Sequence, residues 1–233
     1  MYSDLSLGYN MKKFNHVGDF PFLDDIPTKN IDGKRYYVVD EFKKYPSITT
    51  ILSTLPDKVE GLGNWRKRVG NKEANKISTQ AARKGTAVHD MIEKYLDNSL
   101  NEAKMNPIAV ESFRKIQPLL DKYIDTIYMQ EVALWSQHLK TAGRVDCIGK
   151  FDGKLSVIDF KTARKPKKKE WIFDYFMQAC GYSIMWEERT QIPITQLVIM
   201  ITPTDGDPQV FIENRDTWVQ PLLDQIEYFY REM

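Results

Sequence analysis

A chain of 233 residues with 42% hydrophobic and 28% charged side chains can bury one good α/β core and is too short to promise two. Its net charge of +1 and pI near 7.7 carry no overall nucleic-acid signature, so any basic surface must be local. Two cysteines, Cys147 and Cys180, exclude a disulfide framework and a four-cysteine iron–sulfur cluster, and no apolar run approaches the roughly 18 residues of a membrane span.

The opening residues, Met1 to Gly8, lack the basic-then-apolar pattern of a secretory signal and the Arg-rich amphipathy of a mitochondrial address, which points to the cytoplasm. Residues 1–44 read as an irregular arm with a short hairpin, a turn at Asn30–Lys34 leading into a strand at Arg35–Val39. Residues 45–233 then read as a single domain. From Tyr45 the pattern turns helical, with Ile48, Ile51, Leu52 and Leu55 as its apolar face. Ser47 and Thr49 supply helix-start chemistry, and the same hydroxyls suit a phosphate at a helix N-terminus. Trp65, Arg66, Lys67 and Arg68 interleave an aromatic with three cations, either a solvated helix face or a group that stacks a base and neutralises phosphates.

One long helix is predicted over Lys72–Asn98, with Ala74, Ile77, Ala81, Val88, Ile92, Tyr95 and Leu96 at three- and four-residue steps. Gly85 in its interior costs roughly 1 kcal/mol relative to alanine, which predicts a close neighbour there. His89 and Glu93 share one face of this helix. A second helix is predicted over Asn106–Asp125 and a strand over Ile127–Ser136, with Glu131 inside it as a solvated strand position.

Two β-rich runs follow, joined by Asp152-Gly153, the pair that suits a type I′ turn because both central residues need positive φ. A two-residue turn there sets Phe151 opposite Lys154 and therefore Asp146 opposite Asp159, about 5 Å apart at Cβ on one face. Lys161 shares that face by period-2 alternation. Facing acids repel, and in an apolar strand such as Leu155–Lys161 they are costly; a divalent cation between them reverses the sign. The run Lys165–Lys169, with Lys167 and Lys168, then lies just beyond the Asp-x-Lys strand, as a solvated loop or a phosphate contact. A helix over Glu170–Arg189 carries Trp171, Phe173, Tyr175, Phe176 and Trp186, read mostly as core, and presents Gln178 and Tyr182 on one face. Strands at Ile194–Thr202 and Gln209–Glu213 and a helix over Trp218–Tyr230 close the chain.

The ordered set Gly85-Thr86-x-x-His89, Gly143-x-x-Asp146, Asp159-x-Lys161 and Gln178-x-x-x-Tyr182 resembles the PD-(D/E)XK nuclease superfamily in its RecB-type form. With Tyr45–Leu52 and the Trp65–Arg68 cluster, it is similar to the mitochondrial genome maintenance exonucleases and related phage exonucleases. Val145 stands where the family name has proline. The resemblance implies a restriction-endonuclease-like core, a mixed β-sheet flanked by helices in αβββαβ order, behind a helical N-terminal part. It implies a deoxyribonuclease that cuts DNA, single-stranded with a free end, with Mg²⁺ or Mn²⁺. Asp146, Asp159, Lys161 and Gln178 take catalytic roles, and His89, Asp146, Asp159 and the Phe160 carbonyl hold metal. Ser47, Thr49, Trp65, Arg66, Arg68, Lys167, Lys168 and Tyr182 meet DNA, while Glu131 and Glu93 are candidates. A monomer, with single-strand-binding or replication proteins as partners, completes the expectation. A duplex-resecting recombination exonuclease and a non-catalytic DNA-binding module on the same fold are the alternatives.

Overall fold

The computed structural model describes residues 11–18, 20, 23 and 25–232; the first ten residues of the expected arm, and with them the reading of Met1–Gly8, lie outside the described residues. The chain order is β1 (Asn15–His16), β2 (Thr28–Ile31), β3 (Lys34–Val38), β4 (Lys44–Pro46), α1 (Ile48–Leu52), α2 (Pro56–Val69), α3 (Asn71–Leu96) and α4 (Pro107–Tyr123). It continues through β5 (Ile124–Ser136), β6 (Thr141–Phe151), β7 (Lys154–Ala163), α5 (Phe173–Thr190), β8 (Gln196–Pro203), β9 (Gln209–Asn214) and α6 (Asp216–Arg231). From α4 to β8 this is the expected αβββαβ order. Among these elements no helix is long and apolar enough to cross a membrane.

Six strands form one mixed sheet in the order β1-β5-β6-β7-β8-β9. β6 runs antiparallel to both β5 and β7, β1 lies parallel to β5, and β8 lies parallel to β7 because the α5 crossover returns the chain to the same edge. The period of two divides two cores. On β7 and β8, Val157, Leu197 and Ile199 pack with Phe176, Trp186 and Ile48 under α1, α5 and α6. The intervening Ile158, Phe160, Val198 and Met200 pack with Val88, Ile92, Phe113 and Ile116 under α3 and α4. Burial on both faces explains why these strands read as continuous apolar runs.

Strands β2, β3 and β4 form a separate antiparallel sheet. Its last strand reaches Pro46, across the expected boundary after residue 44, and Ser47 bridges to Ala142 of β6 while Thr141 Oγ1 donates to the Pro46 carbonyl at 3.0 Å. Next comes a helical arm. No side chain of α2 is buried, and in the first half of α3 only Ala74 is. The second half of α3 buries Ala87, Val88, Met91, Ile92, Tyr95 and Leu96, so the helix is anchored at one end only. Gly85 lies where anchoring begins: a Cβ there would stand 3.4 Å from Thr162 Oγ1 of β7.

Candidate active site

The Asp152-Gly153 turn is two residues long with φ of 50° and 76°, and it sets Phe151 opposite Lys154 and Cys147 opposite Ile158. That ladder stops one pair short of the acids. In place of a backbone partner, Phe160 N–H donates to Asp146 Oδ2 at 2.8 Å, so a carboxylate finishes the β6–β7 pairing. On the other side of β6, Gln130 faces Cys147 and Val132 faces Val145, which brackets Glu131 against Asp146. Glu131, Asp146 and Asp159 therefore stand in one row across three neighbouring strands.

The strands are bent at this row. Met129 and Val132, three residues apart, pack against the same core, as do Val145 and Ile148, although regular alternation would send each pair to opposite faces. The change of face falls at Glu131, whose φ of 48° is left-handed, a conformation costing about 1–3 kcal/mol for a residue with a Cβ. Arg144 supports it by donating from Nη1 to the Glu131 carbonyl.

From the opposite side α3 delivers His89, whose Nδ1 is 3.6 Å from Asp146 Oδ2 and whose ring meets the edge of Phe160 at 6.4 Å between centroids. One ligand atom each of His89, Glu131 and Asp146 lies within 4.8 Å of the others. Asp159 is fully buried; its Oδ2 pairs with the Lys161 ammonium, and its Oδ1 accepts no hydrogen bond among the described residues. A buried carboxylate oxygen without a donor is costly, so the donor set fits a hard divalent cation better than it fits an empty core.

Charge crowding appears in the titration of these groups. Burial, then the neighbouring Asp146 and Glu93, push the Glu131 carboxyl up to about 7. Burial raises Asp159 against the opposing pull of Lys161, and burial with Asp90 raises Glu93. Burial works against the Lys161 charge, but Asp159 and Asp146 outweigh it and its pKa lies above the usual lysine range. Lys161 Nζ also sits 5.2 Å from the Tyr175 ring centroid. Beneath β6, Gln178 donates to the Tyr182 hydroxyl at 3.2 Å, and the Tyr182 ring occupies the space over Gly143.

The family profile of the PD-(D/E)XK nuclease superfamily matches residues 65–229. This chain belongs to that superfamily. Mitochondrial genome maintenance exonuclease 1 of Homo sapiens is 25% identical over 174 residues, covering 70% of this chain and 50% of that protein. The same exonuclease of Mus musculus is 30% identical over 176 residues, covering 70% and 51%. The chain spans about half the length of these curated relatives. A crystal structure from Eubacterium rectale aligns with a TM-score of 0.46 at 14% identity, covering 64% of each chain.

The residues expected from the superfamily motifs fall into three groups. His89, Asp146, Asp159, Phe160 and Lys161 come together, with Glu131 joining them and Glu93 one turn along α3. Gln178 and Tyr182 form the layer below. The expected DNA contacts are spread more widely. Ser47 is buried, and its hydroxyl accepts from Thr50 N–H at 3.0 Å as the cap of α1, whereas Thr49 is exposed. Trp65, Arg66 and Arg68 ride on the α2 arm, where cations in a last turn also complement the helix dipole. Lys167 is clasped to the sheet edge by two bonds with the Gln209 side chain, at 2.7 and 2.9 Å. Trp171, read as core, is 58% exposed in the turn before α5, because the helix starts at Phe173. Tyr175 was not legible as a site residue, since nothing in the α5 pattern ties it to Lys161.

Proposed function

We propose that this superfamily member is a Mg²⁺- or Mn²⁺-dependent DNA exonuclease that digests strands with a free end and prefers single-stranded DNA, in DNA degradation, replication or recombination. The observation that carries the reading is the convergence of His89, Glu131 and Asp146 beside the buried Asp159–Lys161 pair. His89, Asp146, Asp159 and the Phe160 carbonyl, with Glu131 added to them, would hold the cation. When bound, it would polarise the phosphate and lower the pKa of a water.

The chain's own groups do the rest. Lys161 offers a fixed positive charge to the oxygens that gain charge at phosphorus, and Asp159 keeps it charged and aimed. Phe160 N–H holds Asp146 in one rotamer, and Gln178 with Tyr182 forms a rigid floor under β6. Thr49, the Lys167–Lys168 loop and the α2 arm receive the strand, with Trp65 stacking a base beside the charges of Arg66 and Arg68. Unpaired bases can use that stacking and a duplex cannot. The enzyme works as a monomer in the cytoplasm, alongside single-strand-binding or replication proteins. The test is the ratio of initial rates on matched single-stranded and blunt duplex substrates. A higher single-strand rate is expected, and faster duplex digestion favours a resecting recombination enzyme.

A further inference from the structure

A cleft of about 440 Å³ lies between the start of α2 and the start of α5, within the size range of small-ligand sites. Its apolar walls are Leu55, Trp171, Phe173 and Tyr175. Trp171 leaves 58% of its surface in water, and the Lys168 ammonium lies 5.2 Å from its ring centroid. Tyr175 is shared with the active site, because Lys161 Nζ lies 5.2 Å from its ring centroid. The cleft thus abuts the catalytic lysine with one aromatic ring between them.

Its charged lining is three carboxylates, Asp57, Glu170 and Asp174, and Lys58, whose ammonium pairs with Asp174 at 2.6 Å. Carboxylates inside repel a phosphate but accept hydrogen bonds from exocyclic amino and ring N–H groups. Lys161 and Lys168, against two of its aromatic walls, supply the opposite charge for phosphates outside. A flat aromatic wall, the Asp57 and Glu170 carboxylates as acceptors beside the Lys58–Asp174 pair, and Lys161 and Lys168 at the margin match a nucleotide whose base enters while its phosphates stay out. We infer that this cleft is a subsite for one unpaired nucleobase of the DNA strand, next to the nucleotide being cleaved, with Trp171 as its stacking face. The inference rests on the exonuclease reading above and adds to it a position where the enzyme feels the presence of a base.

The test walks a single abasic residue along a fluorescent single-stranded oligonucleotide and measures Kd by anisotropy in chelator, so that nothing is cut. Wild-type protein should lose affinity about tenfold when one position near the end lacks its base, and little at the neighbouring positions. Trp171→Ala should weaken the intact strand by about the same factor and feel no further loss from the abasic residue, while Trp171→Phe retains most of the effect. A merely structural role for the indole would lower affinity without erasing the abasic penalty. An abasic loss spread evenly along the strand, a penalty that survives in Trp171→Ala, or no binding at all overturns the subsite. Failure of the exonuclease reading shows separately, as no metal-dependent cleavage of the intact strand, because the abasic profile needs no catalysis.

Discussion

Replacing Glu131 with Gln removes a carboxylate that the metal-free protein keeps at a cost. The group titrates at about 7 in the fold against an ordinary value of 4.5. At about 1.4 kcal/mol per pH unit that difference is worth roughly 3 kcal/mol, and partial exposure of the side chain reduces it to about 1–2 kcal/mol. The folded pKa is the higher one, so the folded state binds the proton more tightly. The stability contributed by Glu131 is then fully present below pH 4.5 and is lost as pH rises through 7. The Glu131→Gln protein lacks this loss. For a chain of this size 1 kcal/mol moves the melting temperature by roughly 2–4 °C, so at pH 8 in chelator the variant should melt about 2–8 °C above wild type. At pH 5 the gap should nearly close. Divalent metal should raise the wild-type melting temperature by mass action and raise that of the variant less. The assay is a set of thermal melts at the two pH values, each in chelator and in millimolar Mg²⁺ or Mn²⁺. A variant that melts no higher than wild type at pH 8, or by an equal margin at both pH values, would refute the crowding of Glu131 against Asp146.

Gly143→Ala should destabilise the fold by about 1–3 kcal/mol through overpacking, because the added Cβ would lie 2.7 Å from Cε1 of the buried Tyr182. Chemical denaturation should show that loss, and a second change, Tyr182→Leu, should recover part of it. Trp65→Ala should slow single-strand digestion about tenfold while leaving duplex digestion and the melting temperature nearly unchanged, since α2 buries no side chain. Initial rates and a melt check both parts.

The β6–β7 register was legible because one short signal sets it. Asp-Gly needs positive φ at both positions, and no other residue pair in that stretch competes for the turn. The β5–β6 register was not, because the chain turns through Gln137–Lys140, where Ser136 Oγ accepts from Leu139 N–H at 2.8 Å and Lys140 supplies the positive φ. None of those residues announces a turn of fixed length. Glu131 could therefore not be set opposite Asp146, and its left-handed backbone, which moves Met129 and Val132 onto one core, has no sequence signal at all. The small sheet was half read for a related reason. Thr28–Ile31 is exposed along its whole length, and Lys44–Pro46 borrows its strand form from β3, so neither shows an alternating apolar face. Gly85 was read as a close approach from its cost inside a helix, but a Cβ there would meet only Thr162 Oγ1, at an ordinary contact distance of 3.4 Å, so crowding does not account for the glycine.

The central claim is that metal and Lys161 together make this site cut DNA. The most direct measurement follows an end-labelled single-stranded oligonucleotide and a circular single strand with purified protein, in Mg²⁺, in Mn²⁺ and in chelator, for wild type, Lys161→Ala and Asp159→Asn. The account predicts metal-dependent digestion of the linear strand, no digestion of the circle, and a loss of about 100-fold or more in each variant. Undiminished cleavage in chelator, or in either variant, would contradict it.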